Sequence, residues 1–127
     1  MSFRTPLSQA RGLGSAKHGV THWLSERVGA AALVPLVIWG AYSVILLAGR
    51  DYDGAVAWVR EPVNATLLIL TLAVSFSHMQ QGVRVIIEDY VYSHLSKAAA
   101  LLANLFLCGL AGALAIFSIL KVALGGA

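Results

Sequence analysis

The chain has 127 residues, of which 58% are hydrophobic and 12% charged, and its mean hydropathy is +0.77. This composition excludes a water-soluble globular domain, since soluble domains carry about 25% charged residues. The net charge is +3, yet so apolar a chain is also incompatible with a module that reads nucleic acid. The length leaves room for one small domain.

Three stretches of the sequence contain no Asp, Glu, Lys or Arg: residues 28–48, 63–83 and 98–120. A helix rises about 1.5 Å per residue, so each stretch is long enough to cross a hydrocarbon core of about 30 Å. We therefore expect an all-α membrane protein with three transmembrane helices.

The segments between these stretches are polar and contain helix-ending signals. Pro62 is suited to the first position of the second helix, Gly49 to the C-cap of the first, and Ser93 to the N-cap of the third. The expected order is a polar arm and helix start (1–27), helix 1 (28–48), a loop (49–62), helix 2 (63–87), a second loop (88–97), helix 3 (98–120) and a tail (121–127).

The basic residues are distributed unequally between the two sides of the membrane. Of the nine Lys and Arg residues, six fall on the N-terminal side: Arg4, Arg11, Lys17, Arg27, Arg84 and Lys97. The other three are Arg50, Arg60 and Lys121. Because Lys and Arg accumulate in cytoplasmic loops, this asymmetry predicts a cytoplasmic N-terminus and places loop 49–62 on the outer, periplasmic side.

His78 is the one histidine of the four that lies inside a charge-free stretch. An ionisable side chain at membrane depth normally faces protein or a cofactor. Two interpretations follow: a hydrogen bond across the bundle, or axial ligation of haem iron. Helical spacing places two small residues, Ser75 and Gly82, on the face of His78, which suits a flat macrocycle, and Ser75 or the Val74 carbonyl is the expected acceptor for Nδ1–H. Met79 is a weaker candidate ligand, because it is offset by about 100° around the helix.

A six-coordinate haem needs a second axial ligand, and the sequence has no other histidine at that depth. A partner helix would supply it, in either a homodimer or a heterodimer.

Two further positions carry candidate chemistry. Tyr90, with Asp89 and Glu88 beside it, is suited to hydrogen-bonding a quinone carbonyl, although tyrosine is also common at membrane boundaries. Arg27 is suited to neutralising haem propionates, although arginine also serves there as an interfacial anchor.

The third stretch contains small residues four positions apart, a spacing that allows close helix packing in lipid. We expect these pairs to form packing seams, with Cys108 as a small packing residue. The pairs are Ala99 with Ala103, Cys108 with Gly112, and Ala111 with Ala115.

The segment from Ser77 to Tyr90 reads H-x-x-x-G-x-x-x-x-x-x-D-Y from His78 onward. In this spacing it resembles the small cytochrome b anchor of succinate dehydrogenase, the hydrophobic membrane anchor subunit. The N-terminal segments Arg11 to Lys17 and Gly19 to Arg27 are also similar to that family, in its bacterial and mitochondrial-type members. The chain lacks the S-x-x-H-R-x-[ST]-G type of opening that is found in the other membrane anchor of that enzyme.

The resemblance implies a role in succinate:ubiquinone oxidoreductase, complex II. By carry-over, His78 is an axial ligand of haem b, Tyr90 binds the ubiquinone headgroup with Asp89 as its neighbour, and Arg27 and His22 belong to the propionate environment. Gly82 and Ser75 would pack against the haem. This chain would pack around the haem with a second three-helix anchor, the other cytochrome b subunit.

The same resemblance implies further partners and a location. FAD and iron–sulfur clusters would lie only on the flavoprotein and iron–sulfur subunits, and this chain would have no catalytic activity of its own. The expected location is the bacterial inner membrane, with the mitochondrial inner membrane as the alternative. Two other functions stay open: a quinol:fumarate reductase anchor, and a haem-free assembly or transport subunit.

Overall fold

The computed structural model describes residues 5–12 and 19–125, with the side chains of Ser8, Gln9 and His22 excepted. Within these ranges the structure is helical, and three helices are long and apolar enough to cross a membrane. The helices are α1 (Pro6–Ala10), α2 (Gly19–Leu47), α3 (Tyr52–Arg60), α4 (Pro62–Tyr90) and α5 (His94–Ala123). The expected all-α class and three spanning helices are therefore confirmed.

The long helices extend beyond the charge-free stretches. α4 has 29 residues and α5 has 30, which corresponds to about 45 Å against a hydrocarbon core of about 30 Å. Pro62 occupies the first turn of α4 and Ser93 is the N-cap of α5, both as expected. Gly49 follows the end of α2 but does not have the positive φ of a helix-ending glycine, so that expectation is wrong.

The segment 49–62, expected to be a loop, contains the helix α3. The Asp51 carboxylate accepts a hydrogen bond from the Gly54 backbone N–H (2.9 Å) and caps its N-terminus. Asp53 in the first turn and Arg60 in the last turn complement the helix dipole. Pro6 likewise begins the short helix α1 and does not prevent a helix there.

The three long helices alternate in direction, as the contacts between them show. Gly29 lies opposite His78 and Ser25 opposite Gln81, so α2 and α4 are antiparallel. The start of α2, the end of α4 and the start of α5 consequently share one end of the bundle, named here the N-terminal end. The opposite end, named the α3 end, holds α3 and the end of α5.

α4 is the central helix and packs against both α2 and α5. Between α4 and α5, the Asn104 Nδ2 group donates to the Gln80 carbonyl (2.9 Å), and the Cys108 thiol donates to Asn104 Oδ1 (3.3 Å). Asn104, Cys108 and Gly112 are the buried residues of α5. Cys108 is thus a packing residue as expected, and Cys108 with Gly112 forms a seam against α4.

The other two expected pairs are less buried. Ala99, Ala103 and Ala111 are exposed, and Ala115 is half-buried. Among the described residues, no side chain is fully buried. The apolar faces of the helices are therefore covered by something outside this chain, either lipid or other protein.

The Gly112 seam yields a prediction for packing. A Cβ at Gly112 would lie 3.2 Å from Phe76 Cγ, whereas a Cβ at Gly109 would meet nothing within 4 Å. Gly112→Val should therefore overpack the α4–α5 interface and lower stability by about 1–3 kcal/mol. Thermal unfolding in detergent measures the effect, and Gly109→Val on the same helix is the matched control. Equal unfolding temperatures for the two variants would contradict the packing described here.

Candidate functional site

His78 lies on α4 at the position where α2 comes closest to it. Gly29 of α2 faces the imidazole, and a Cβ on Gly29 would lie 3.8 Å from His78 Nδ1. Glycine at this position leaves room for the ring between the two helices. Gly29 is the second residue of the charge-free stretch in α2, so the site lies in the half of the bundle nearer the N-terminal end.

The Nδ1 atom of His78 is buried and has no hydrogen-bond partner among the described residues. The expectation that Ser75 or the Val74 carbonyl accepts a bond from it is therefore wrong. An imidazole nitrogen without a partner is costly in an apolar environment. His78 Nδ1 is therefore the buried side-chain atom of the described residues whose hydrogen bonding this part of the chain leaves unmet.

A cavity of about 350 Å³ opens beside His78 between α2 and α4. Its lining includes a cation, a carboxyl group and small residues that leave space next to the imidazole. The lining residues are Trp23, Glu26, Arg27, Ala30, His78, Gln81, Gly82 and Val85. The structure thus brings together three of the residues singled out from the sequence: His78, Gly82 and Arg27.

The guanidinium group of Arg27 is held at this cavity by an aromatic ring. Its Cζ atom lies 5.5 Å from the centroid of the Trp23 ring, one turn earlier on α2. This cation–π contact fixes the direction of a long side chain. A cation beside a histidine suits a ligand that carries negative charge, such as a carboxylate.

Two other candidate residues do not line the cavity. Ser75 and Met79 are not part of its lining, and Met79 is exposed. The side chain of His22 lies outside the described part of the structure. His78 is therefore the candidate ligand that this chain brings to the cavity, and no cluster of three or more His, Cys, Asp or Glu residues occurs in the described ranges.

Asp89 and Tyr90 lie apart from His78, at the N-terminal end of the bundle. They are the last two residues of α4, which continues beyond the expected end at Ile87. Tyr90 is 75% exposed and follows His78 by twelve residues, or about 18 Å along the axis. The phenol is thus available to a ligand or a partner chain at the membrane boundary.

The connection between α4 and α5 is only Val91–Ser93, since both helices extend into the expected polar link. The Lys97 ammonium donates to the Glu88 carbonyl (2.8 Å) and supports the C-terminal end of α4. Arg84 pairs with the Glu88 carboxylate at 2.7 Å, as the i,i+4 spacing predicts. Tyr90 is the last residue of α4 before this tight turn.

Two residues of the site were not identified from the sequence. Gly29 faces His78, and Gln81 lines the cavities on both sides of it. Gln81 follows His78 by three positions, a helical spacing that places both on one side of α4. For Gly29 the sequence holds no comparable signal, because its role depends on the neighbouring helix.

The chain is similar to known membrane proteins over most of its length. Residues 1–117 match the family model described as succinate dehydrogenase/fumarate reductase transmembrane subunit. The chain is 32% identical over 106 residues to the succinate dehydrogenase hydrophobic membrane anchor subunit of Rickettsia conorii, covering 82% of this chain and 84% of that one.

Two further relatives carry similar names. The succinate dehydrogenase hydrophobic membrane anchor subunit of Paracoccus denitrificans is 30% identical over 125 residues, covering 98% of this chain and 96% of the relative. The succinate dehydrogenase membrane anchor subunit of Reclinomonas americana is 26% identical over 88 residues, covering 67% and 73%. No solved structure matched the chain.

The approach of Gly29 to His78 yields a second prediction. Gly29→Leu should force the two helices apart, because atoms beyond Cβ would overlap the imidazole, and should cost about 1–3 kcal/mol of stability. Gly40→Leu is the control, since a Cβ at Gly40 meets nothing within 4 Å. Thermal unfolding in detergent compares them, and Gly29→Ala should resemble the unmodified chain. A Gly29→Leu variant as stable as Gly40→Leu would refute the close approach.

Proposed function

The chain belongs to the family of succinate dehydrogenase hydrophobic membrane anchor subunits, and from this membership we propose that it anchors a succinate:ubiquinone oxidoreductase, complex II, in the membrane. Its task is to hold the soluble flavoprotein and iron–sulfur subunits at the membrane surface. FAD and iron–sulfur clusters belong to those partners. This chain contributes no catalytic group to succinate oxidation.

The exposed apolar faces of the three long helices support the anchor role. Helices that bury so little against each other need lipid and a second membrane anchor to cover them. The second anchor packs against the side that holds the His78 cavity. Lipid covers much of the remaining surface.

The distribution of basic residues supports an orientation with the N-terminal end in the cytoplasm. Arg27, Arg84 and Lys97 lie at this end, whereas Arg50, Arg60 and Lys121 lie at the α3 end. When the basic residues of the segment 1–18 are added, the N-terminal side has six of the nine Lys and Arg residues. Since relatives occur in Rickettsia and Paracoccus, the bacterial inner membrane is the proposed location.

His78 is the proposed axial ligand of haem b. Two observations support this assignment: the Nδ1 atom of His78, which faces Gly29, has no partner among the described residues, and His78 borders a cavity that Gly82 and Arg27 also line. Haem b supplies an iron that takes up and releases one electron at a time. With haem bound, His78 would hold the iron, Gly82 would leave space for the ring, and Arg27 would neutralise propionate charge.

The second axial ligand comes from the second membrane anchor. A single candidate ligand in the described part of this chain leaves one side of a six-coordinate iron to a partner helix. Since the relatives are named as anchor subunits of one dehydrogenase, a heterodimer of two different anchors is favoured over a homodimer.

Tyr90 is the proposed quinone contact. Its exposed phenol at the end of α4 donates a hydrogen bond to a ubiquinone carbonyl, with Asp89 as the neighbouring acidic group. The position lies at the membrane boundary, where a quinone in the bilayer and a soluble electron donor can both reach it. Its separation from His78 by about 18 Å makes the two sites distinct.

A quinol:fumarate reductase anchor is the second candidate, because the family model includes fumarate reductase subunits. The names of the relatives favour succinate oxidation. The midpoint potentials of the quinone and the haem separate the two, since fumarate reduction needs the lower-potential donor.

The haem assignment yields a third prediction. His78→Ala should abolish the b-type absorbance in the reduced-minus-oxidised spectrum of the purified complex, because it removes the ligand. His94→Ala, an exposed histidine at the start of α5, should leave the spectrum unchanged. A complex without a b-type spectrum would support a haem-free assembly or transport subunit, whereas a spectrum identical in His78→Ala would show that His78 is not the ligand.

The quinone assignment yields a fourth prediction. Tyr90→Phe should lower succinate:quinone turnover by about five- to tenfold, the loss of one hydrogen bond to the acceptor, while succinate oxidation with a soluble artificial acceptor continues at its normal rate.

Tyr92→Phe is the matched control, since Tyr92 is 87% exposed and lies just beyond α4. Equal loss of both activities in Tyr90→Phe would indicate failed assembly and count against the quinone contact. Equal effects of the two Phe variants would indicate interfacial tyrosines without a specific role.

A further inference from the structure

A bridge of polar side chains links α2 to α4 beside His78. The Ser25 hydroxyl donates to Gln81 Oε1 (3.4 Å), and Gln81 Nε2 donates to Ser77 Oγ (3.3 Å). Gln81 also borders both cavities next to the imidazole, the one containing Arg27 and the one containing Gly29. The side-chain amide of Gln81 therefore bonds to α2 and also borders the two cavities beside His78.

The position of this bridge has a consequence for Arg27. Ser25 and Arg27 are two residues apart in the same turn of α2, so a bond at Ser25 restrains the turn that carries the guanidinium group. Trp23 restrains the guanidinium from the other side through the cation–π contact. The distance between Arg27 and His78 thus depends on how firmly α2 is held to α4 at this level.

We propose that Gln81 is a positioning residue for the haem site, holding α2 against α4 through Ser25 and so keeping Arg27 beside the group that His78 binds. The inference rests on the proposed role of His78. A cation near the iron stabilises the reduced form, which carries one more electron. Loss of the bridge lets the cation move away and water enter, and both changes favour the oxidised form.

The test is a redox titration of the purified complex, in which the absorbance of the haem reports how much of it is reduced. Gln81→Leu should shift the midpoint potential to a lower value. Ser25→Ala removes the same bond from α2 and should shift it in the same direction, whereas Ser25→Thr keeps the hydroxyl and should restore the original value. Ser25→Ala also serves if Gln81→Leu fails to assemble.

Gln80→Leu is the matched control on the neighbouring position. Its side chain borders the cavity between α4 and α5, away from His78, and its bond with Asn104 uses the backbone carbonyl, which the substitution keeps. The midpoint potential should not change. Equal shifts in Gln80→Leu and Gln81→Leu would overturn the proposal, since any loss of amide polarity would then suffice.

A double variant tests the link to Arg27. Arg27→Gln alone should lower the midpoint potential, and Gln81→Leu should have a smaller effect in that background, because there is no longer a cation to position. An undiminished effect would overturn the proposal. A His78-dependent haem with an unchanged potential in Gln81→Leu also overturns it, while a complex without His78-dependent haem refutes the underlying assignment instead.

Discussion

Within a bilayer no water is available to hydrogen-bond a polar group that lacks a partner in the protein, and this constraint governs the polar residues of the chain. The hydroxyl groups of Ser43, Thr71 and Ser118 each donate to the carbonyl four residues earlier in the same helix. Asn104 satisfies its amide across two helices. Among the buried side-chain polar atoms of the described residues the exception is His78 Nδ1, and the functional interpretation depends on it.

The position of the His78 cavity along the bundle determines which end of the bundle it opens toward. Gly29 and Arg27 lie where α2 enters its charge-free stretch, so the cavity of His78 opens toward the N-terminal end of the bundle. Tyr90 lies at this same end, further toward the surface along α4. Both candidate sites consequently lie at the end of the bundle that has the larger share of Lys and Arg residues.

The sequence predicts the features that depend on one helix at a time. The absence of charge locates three spans, and Pro62 and Ser93 locate two helix starts. The helix α3 is not predicted in this way, although Asp51 is a good N-cap, because a short amphipathic segment between two spans carries a weak signal.

Features that depend on two helices are not predictable from such patterns. Of three small-residue pairs with the same spacing, only Cys108 with Gly112 is buried, and the spacing itself does not reveal which. The expected acceptor for His78 lay on its own helix, whereas the structure leaves Nδ1 facing Gly29 of α2. Rotation of each helix about its axis decides these outcomes, and it is set by packing.

At the opposite end, α3 closes the bundle. Trp58 of α3 stacks on Trp39 of α2 with ring centroids 5.9 Å apart, and Arg60 Nε donates to the Val122 carbonyl of α5 (3.4 Å). A short helix thereby ties together α2 and α5, the two long helices that pack against α4. A tilt of α2 by only about 4° at this contact would move a point about 30 Å away by about 2 Å, so the stacking of Trp58 on Trp39 bears on the width of the cavity at the far end of α2.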